Sequence, residues 1–134
     1  MPASIGLDIA TAAATTLGLT LGTQVFASPP REDGEFVTLP AVFVMAHGGV
    51  KAMPLRADSP REIKPNTVHV DVRALPDDFE GGNLLAYNAR EAIGYAVPAG
   101  YIDVQPIESY PMYLGQNENG SHCWAMNFRV DVEE

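Results

Sequence analysis

The sequence is short of cysteine, of cationic side chains and of long apolar runs, and each shortage removes a class of protein. A single cysteine, Cys123, excludes a disulfide framework and any zinc site built on several cysteines. It fits the reducing cytoplasm in which the chain would be made. Eight Lys and Arg against seventeen Asp and Glu give a formal net charge of −9. Such a chain repels phosphates, so a sequence-reading nucleic-acid binder is not expected, although a duplex can pass an acidic surface without sticking. No segment reaches the ~20 apolar residues of a membrane span. Residues 2–28 are almost uncharged and end in a faint likeness of a cleavage site at Val25, Phe26 and Ala27, but the first positive side chain is Arg31, and Asp8 interrupts the run. A secretory leader needs a basic start, so the expectation is a soluble chain that keeps its N-terminus.

What is present suits a folded domain. The chain has 134 residues, 46% hydrophobic and 19% charged. That is enough to bury a core and too short for two ordinary domains, so residues 1–134 are expected to form one.

Residues 4–18 read as a helix, with Ser4 to cap it, Asp8 near its positive end and Gly18 to close it. Two apolar rows run along it: Ile5, Ile9, Ala12 and Ala13, then Leu7, Ala10, Ala14 and Leu17. Rows on opposite sides predict cover on both, one from the core and one from a neighbouring subunit. Short strands are expected at 23–28, stopped by Pro29 and Pro30, and at 37–47, closed by Gly48 and Gly49. Residues 50–66 read as a long connection holding Pro54, Pro60 and Pro65. It carries Lys51, Arg56, Arg61 and Lys64 against Asp58 and Glu62, half of all the basic residues. Long connections of this kind usually meet a partner.

Residues 67–74 alternate, with Val68, Val70, Val72 and Ala74 on the inner face, as in a half-buried strand. A second helix is expected over 83–97, starting as early as 78, with Leu85, Ala89, Ala92, Ile93 and Ala96 as its stripe and Pro98 as its stop. Strands follow at 101–108 and 112–115. Asn119 and Gly120 make a turn, and the last strand, 121–132, places Trp124, Met126, Phe128, Val130 and Val132 on one face. The order predicts an α+β fold: a mostly antiparallel sheet of four or more strands with two helices packed on one face.

No constellation here carries chemistry. His122 and Cys123 are neighbours on a strand, so they point to opposite faces and cannot act as base and nucleophile. His47, His69 and His122 lie in three separate strands without ligand spacing. Asp71, Asp103 and Asp131 form a carboxylate pair only if their strands adjoin; the simpler expectation is a solvated acidic face. Gly48 and Gly49 lack the Lys-Ser/Thr of a phosphate loop. No catalytic residue, cofactor or metal is expected.

The stretch YLGQNENGSHCWAMNFRV, residues 113–130, resembles the ending of the tail-terminator (minor-capsid-type) family of long-tailed bacteriophages. In that family a Leu-Gly turn and an Asn-Gly precede a long strand finishing Asn-Phe-Arg-Val. Leu114, Gly115, Asn119, Gly120, Asn127, Phe128, Arg129 and Val130 match, while Gln116 stands where an aspartate is usual. Residues 40–49, 68–73 and the helix with Tyr87, Ala89 and Ile93 are similar in position and pattern.

The resemblance implies a structural, non-enzymatic homohexameric ring in the virion neck. It would be assembled in the host cytoplasm, cap the tail tube protein, stop polymerisation and dock the head-closure connector, with DNA passing through the ring unread. Candidate assembly contacts are Leu7 and Leu17 on the first helix and Lys51, Arg56, Arg61 and Lys64 in the basic connection. The alternatives are a head-closure or other neck ring protein, and a small hydrolase or ligand-binding module.

Overall fold

A computed structural model describes residues 4–30, 37–46, 53–54, 62–94 and 96–133. Helix α1 spans Ile5–Leu17. It begins where expected because Ser4 Oγ accepts the Leu7 N–H at 3.3 Å, and it ends at Gly18, which adopts φ 70° and donates its N–H to Ala14 O. Both caps satisfy backbone groups that a helix end leaves unpaired. Strands β1 (Val25–Phe26), β2 (Ala41–Ala46), β3 (Met53–Pro54) and β4 (Glu62–Ala74) follow. Helix α2 spans Phe79–Ile93, and then come β5 (Tyr101–Pro106), β6 (Met112–Gln116) and β7 (His122–Glu133).

The seven strands form one sheet in the order β1-β2-β4-β7-β5, with β3 also pairing β4 and β6 also pairing β7. Every pairing is antiparallel except that of β1 with β2. The fold is α+β with both helices on one face. Val68, Val70, Val72 and Ala74 of β4 and Trp124, Met126, Phe128, Val130 and Val132 of β7 share the core with Ile9, Ala10 and Ala13 of α1 and Ala86, Ala89 and Ile93 of α2. Each fully buried valine, isoleucine, methionine or phenylalanine among them stabilises by roughly 1.5–3 kcal/mol. A smaller cluster on the opposite face stacks Phe26 on Phe43, ring centroids 5.1 Å apart, beneath Val37 and Leu39.

Several boundaries differ from the sequence expectation. The connection expected over 50–66 is interrupted, because β3 pairs Met53 with Ile63 and Pro54 with Glu62, so β4 starts five residues before Thr67. Pro65 lies inside this strand opposite Asp131 of β7, between the β3 pairing, which ends at Ile63, and the β2 pairing, which begins at Val68. β1 and β2 are shorter than 23–28 and 37–47. α2 begins earlier than 83, because the Asp78 carboxylate accepts the Gly81 N–H at 3.1 Å. It stops before 97, at Gly94, whose backbone is extended; glycine is a poor helix former and yields the helix end at little cost.

The two apolar rows of α1 are not on opposite sides. At 100° per residue Ile9 and Ala13 lie beside Ala10 and Ala14, and these four form a single buried stripe. Ile5 and Leu17 pack against the same core, whereas Leu7 lies off the stripe and is 46% exposed.

Two contacts fix how the helices sit. Gly82 brings α2 onto the sheet: a Cβ there would collide with Ala74 Cβ and with the Trp124 ring. Tyr101 of β5 donates its hydroxyl to Asp8 Oδ2 of α1 at 2.8 Å. Burial, and then the bond to the Asp8 carboxylate, push the Tyr101 phenol above its ordinary range.

Gly82→Ala is therefore expected to destabilise the fold by about 1–3 kcal/mol, read as a lower urea midpoint at unchanged slope. For Tyr101 the unfolded chain ionises near pH ~10 and the folded chain only at higher pH. Stability from this group is thus complete below pH ~10 and lost as the pH rises beyond it. Thermal melts should show a steep alkaline decline in the wild type that is shallower in Tyr101→Phe.

Candidate functional site

The open face of the sheet, away from the helices, carries a chain of polar side chains. His69 on β4 and Asn127 on β7 stand opposite one another in register. Their side chains meet at 2.8 Å, His69 Nδ1 to Asn127 Oδ1. The Asn127 amide is oriented by Glu108, whose Oε2 accepts Asn127 Nδ2–H at 3.0 Å and whose Oε1 accepts the Asn127 backbone N–H at 2.7 Å. With Asn127 Oδ1 thus turned to the imidazole, Nδ1 must be the donor. The other ring nitrogen, Nε2, lies 3.0 Å from Asp71 Oδ2. Glu108 is itself placed by Arg90 of α2, whose Nε and Nη2 donate to its backbone carbonyl at 3.2 and 3.0 Å.

An Asp–His pair on a sheet face invites a catalytic reading, and the geometry speaks against it. A general base needs a ring nitrogen free for a reacting proton, and both nitrogens of His69 are engaged with side-chain oxygens.

The other sequence candidates are also held in structural contacts. Cys123 is buried, and its Sγ donates to Ser121 O at 3.4 Å. His122 is locked between strands: its Nε2 lies 3.0 Å from Pro76 O and its Nδ1 2.7 Å from Tyr113 Oη. A carbonyl only accepts, so Nε2 carries the hydrogen and Nδ1 accepts from the tyrosine. Phe79, Tyr113 and Trp124 surround this imidazole with ring centroids 5.4, 5.9 and 6.1 Å away. Asp103 and Asp131 do come opposite one another on β5 and β7. Asp131 pairs with Arg129 at 3.0 Å, and Asp103 Oδ1 accepts the Val104 N–H at 3.0 Å. Asp71 is apart from both, opposite Ala125. His47 lies outside the described residues. Among the described residues no group of three or more His, Cys, Asp or Glu side chains could hold a metal ion. Among the described residues no helix is long and apolar enough to cross a membrane.

Of the candidate assembly residues, Leu7 reaches the surface and lines a shallow cleft with Ile5, Ala27, Pro29, Val44 and Ala46. Leu17 packs against the subunit's own core. Lys64 stands on β4 opposite Val132. Lys51, Arg56 and Arg61 lie outside the described residues.

Sequence reading missed a surface on the flank of α2. Phe79, Leu84 and Tyr87 on the helix, Tyr110 after β5 and Tyr113 on β6 are between 39% and 66% exposed. Phe79 meets Tyr113 edge-on at 5.2 Å, and Tyr87 lies 6.2 Å from Tyr110. The available signal was the placing of Phe79, Leu84 and Tyr87 off the apolar stripe of their own helix.

A scan against protein-family models and a search of the curated proteins found no match. Among solved structures, the chain is similar to one from the virion of a native gene transfer agent (GTA) particle. The TM-score is 0.59 at 13% identity, and the likeness covers 98% of this chain and 96% of that one. Over essentially the full length of both chains, the similarity is one of fold.

Proposed function

We propose that this chain is a structural subunit of a phage-like virion and acts there as a tail terminator. The observation that carries the reading is the full-length similarity of fold to a chain of a gene transfer agent virion. The resemblance of Asn127 to Val130, after the Asn119–Gly120 turn, to the ending of tail terminators supports the finer reading. The site geometry supports the same conclusion, because the polar groups that chemistry would use are bonded to one another.

In this reading copies of the chain close into a homohexameric ring at the neck of the particle. One axial face binds the last ring of tube protein. The other accepts the head-closure connector. A tube end offers the same face after each added ring, so growth continues until a differently faced ring covers it. The mechanism needs interfaces that close on themselves and no bond chemistry. The net charge of −9 lets DNA pass the ring without adhesion. Leu7 and the basic residues Lys51, Arg56, Arg61 and Lys64 are the proposed contacts between copies or with the tube.

Deleting the gene should give particles whose tails vary in length and fail to join heads, visible by electron microscopy. Tails of normal length that cannot join heads would transfer the assignment to a head-closure ring. Normal tails on filled heads would remove both. Cys123→Ala should leave tail completion intact, apart from a stability loss of ~1–3 kcal/mol from its buried site. A folded Cys123→Ala protein with no activity in tail completion would return the chain to the enzymes.

A further inference from the structure

Strand β6 is an open edge, and β5 beside it is not. Both pair with the same side of β7, and on that side Asn127 O accepts the Ile107 N–H at 2.9 Å. Backbone groups alternate in direction along an antiparallel strand. Cys123 and Ala125 therefore turn their backbone groups to β6, while His122 and Trp124 turn theirs to β4. Tyr113 and Gln116, opposite Trp124 and His122, point their own N–H and C=O groups outward. The bond from Asn117 N–H to Ser121 O at 3.0 Å fixes the same phase. No described strand lies against this edge.

Strand β5 shows how an edge is closed. Its outward residues are Tyr101, Val104 and Pro106. Tyr101 donates its N–H to Pro98 O at 3.1 Å, Val104 donates to Asp103 Oδ1 at 3.0 Å, and Pro106 has no N–H to offer. Prolines and charged side chains of this kind keep a sheet from pairing with other chains. The five residues of β6 include neither. Met112, Tyr113 and Leu114 are moreover exposed. An unprotected apolar edge is a template for an added strand.

The surroundings set the chemistry of that strand. Residues directly opposite in a pair share a face. Tyr113 lies with Trp124 on the helix side, where Phe79 meets it edge-on at 5.2 Å, and Met112 lies with Ala125 on the open side. The turn before α2 abuts the turn after β6: His122 Nε2 bonds Pro76 O, and a Cβ on Gly120 would come within 3.3 Å of Pro76. Asp77 and Glu118 are exposed in these two turns, and Glu80 is exposed beside Phe79. Arg73 is separated from β6 by β7. An added strand therefore meets aromatic rings and carboxylates on one side and a methionine on the other. Arginine suits the first, because its flat guanidinium stacks on a ring while bonding carboxylates. A second copy fits poorly, since β6 against β6 brings the same carboxylates to both sides of the contact.

We propose that the outer edge of β6 receives an extended segment of another protein, one that alternates arginine with apolar residues. The segment's backbone pairs with the outward groups of Tyr113 and Gln116. Its arginines lie over Phe79 and Tyr113 toward Asp77, Glu80 and Glu118, and its apolar side chains cover Met112.

The probe is a capped heptapeptide of alternating arginine and valine, with a counterpart that carries glutamate for arginine. Titrated into the full chain, the arginine peptide should bind with a Kd below ~1 mM and the glutamate peptide at least about tenfold more weakly. Gln116→Pro removes an outward N–H and leaves the bonds to β7 in place. Gln116→Ala is its reference, because the Gln116 side chain also bonds Gly120 O. The proline chain, verified as folded by circular dichroism, should bind the arginine peptide at least about tenfold more weakly than the alanine chain does. Hydrogen exchange on the wild type needs no variant: the Tyr113 and Gln116 amides should exchange at least about tenfold more slowly with the peptide bound. No binding at ~1 mM would overturn the proposal. Equal binding of the two peptides would overturn the choice of a basic partner. Unchanged exchange at both amides would overturn strand addition, because general attraction to a chain of charge −9 leaves them open. A folded proline chain that binds as well as the alanine chain would do the same. A peptide-free dimer that Gln116→Pro dissolves would assign the edge to a second copy and overturn the heterologous partner.

Discussion

The pairing of β4 with β7 is the constraint on which the rest of this molecule depends. It runs without interruption from Ile63 opposite Glu133 to Ala74 opposite His122. Each remaining strand except β1 is attached to one of these two, and β1 hangs on β2. The helices pack on the face the pair presents. A slip of one residue would turn Val68, Val70, Val72, Trp124, Met126, Phe128 and Val130 out to water and the polar residues in. The loss, about 10–20 kcal/mol at ~1.5–3 kcal/mol for each side chain, would match or exceed the stability of an ordinary domain, so the register has no close competitor.

The same register decides what the open face can do. It sets His69 opposite Asn127 and Asp71 opposite Ala125, and the β5–β7 edge brings Glu108 to Asn127. The resulting chain of hydrogen bonds runs from Asp71 through His69 and Asn127 to Glu108, where Arg90 of α2 holds the backbone carbonyl. Buried polar groups are costly unless bonded, and here the bonding uses up the groups a reaction would need. His122 shows the same economy: it joins β7 to β6 through Tyr113 and to the turn after β4 through Pro76. The polar residues of this sheet serve to hold strands in place.

The unspent surface is aromatic. Tyrosine and phenylalanine offer large contact area with little side-chain entropy to lose, which is why they concentrate where proteins meet.

Much of this was legible in the sequence. Ser4 and Gly18 marked the first helix to within a residue, because capping is a local matter of one side chain or one backbone angle. The alternation over 67–74 and 121–132 determined which side chains of the central strands are buried, because a strand that covers a core on one face repeats every two residues. The lone cysteine excluded a disulfide framework by composition alone. Other features waited for the tertiary structure. The early start of β4 depends on which strand lies alongside, which no local pattern records. The rows of α1 lie side by side by helix geometry alone, and only the position of the sheet decides that the core covers them. The engagement of His69, of His122 and of Asp103 and Asp131 joins residues far apart in the chain, and so does the aromatic flank. Local rules fix what each segment is, and only the packing of segments distant in sequence fixes what each side chain meets.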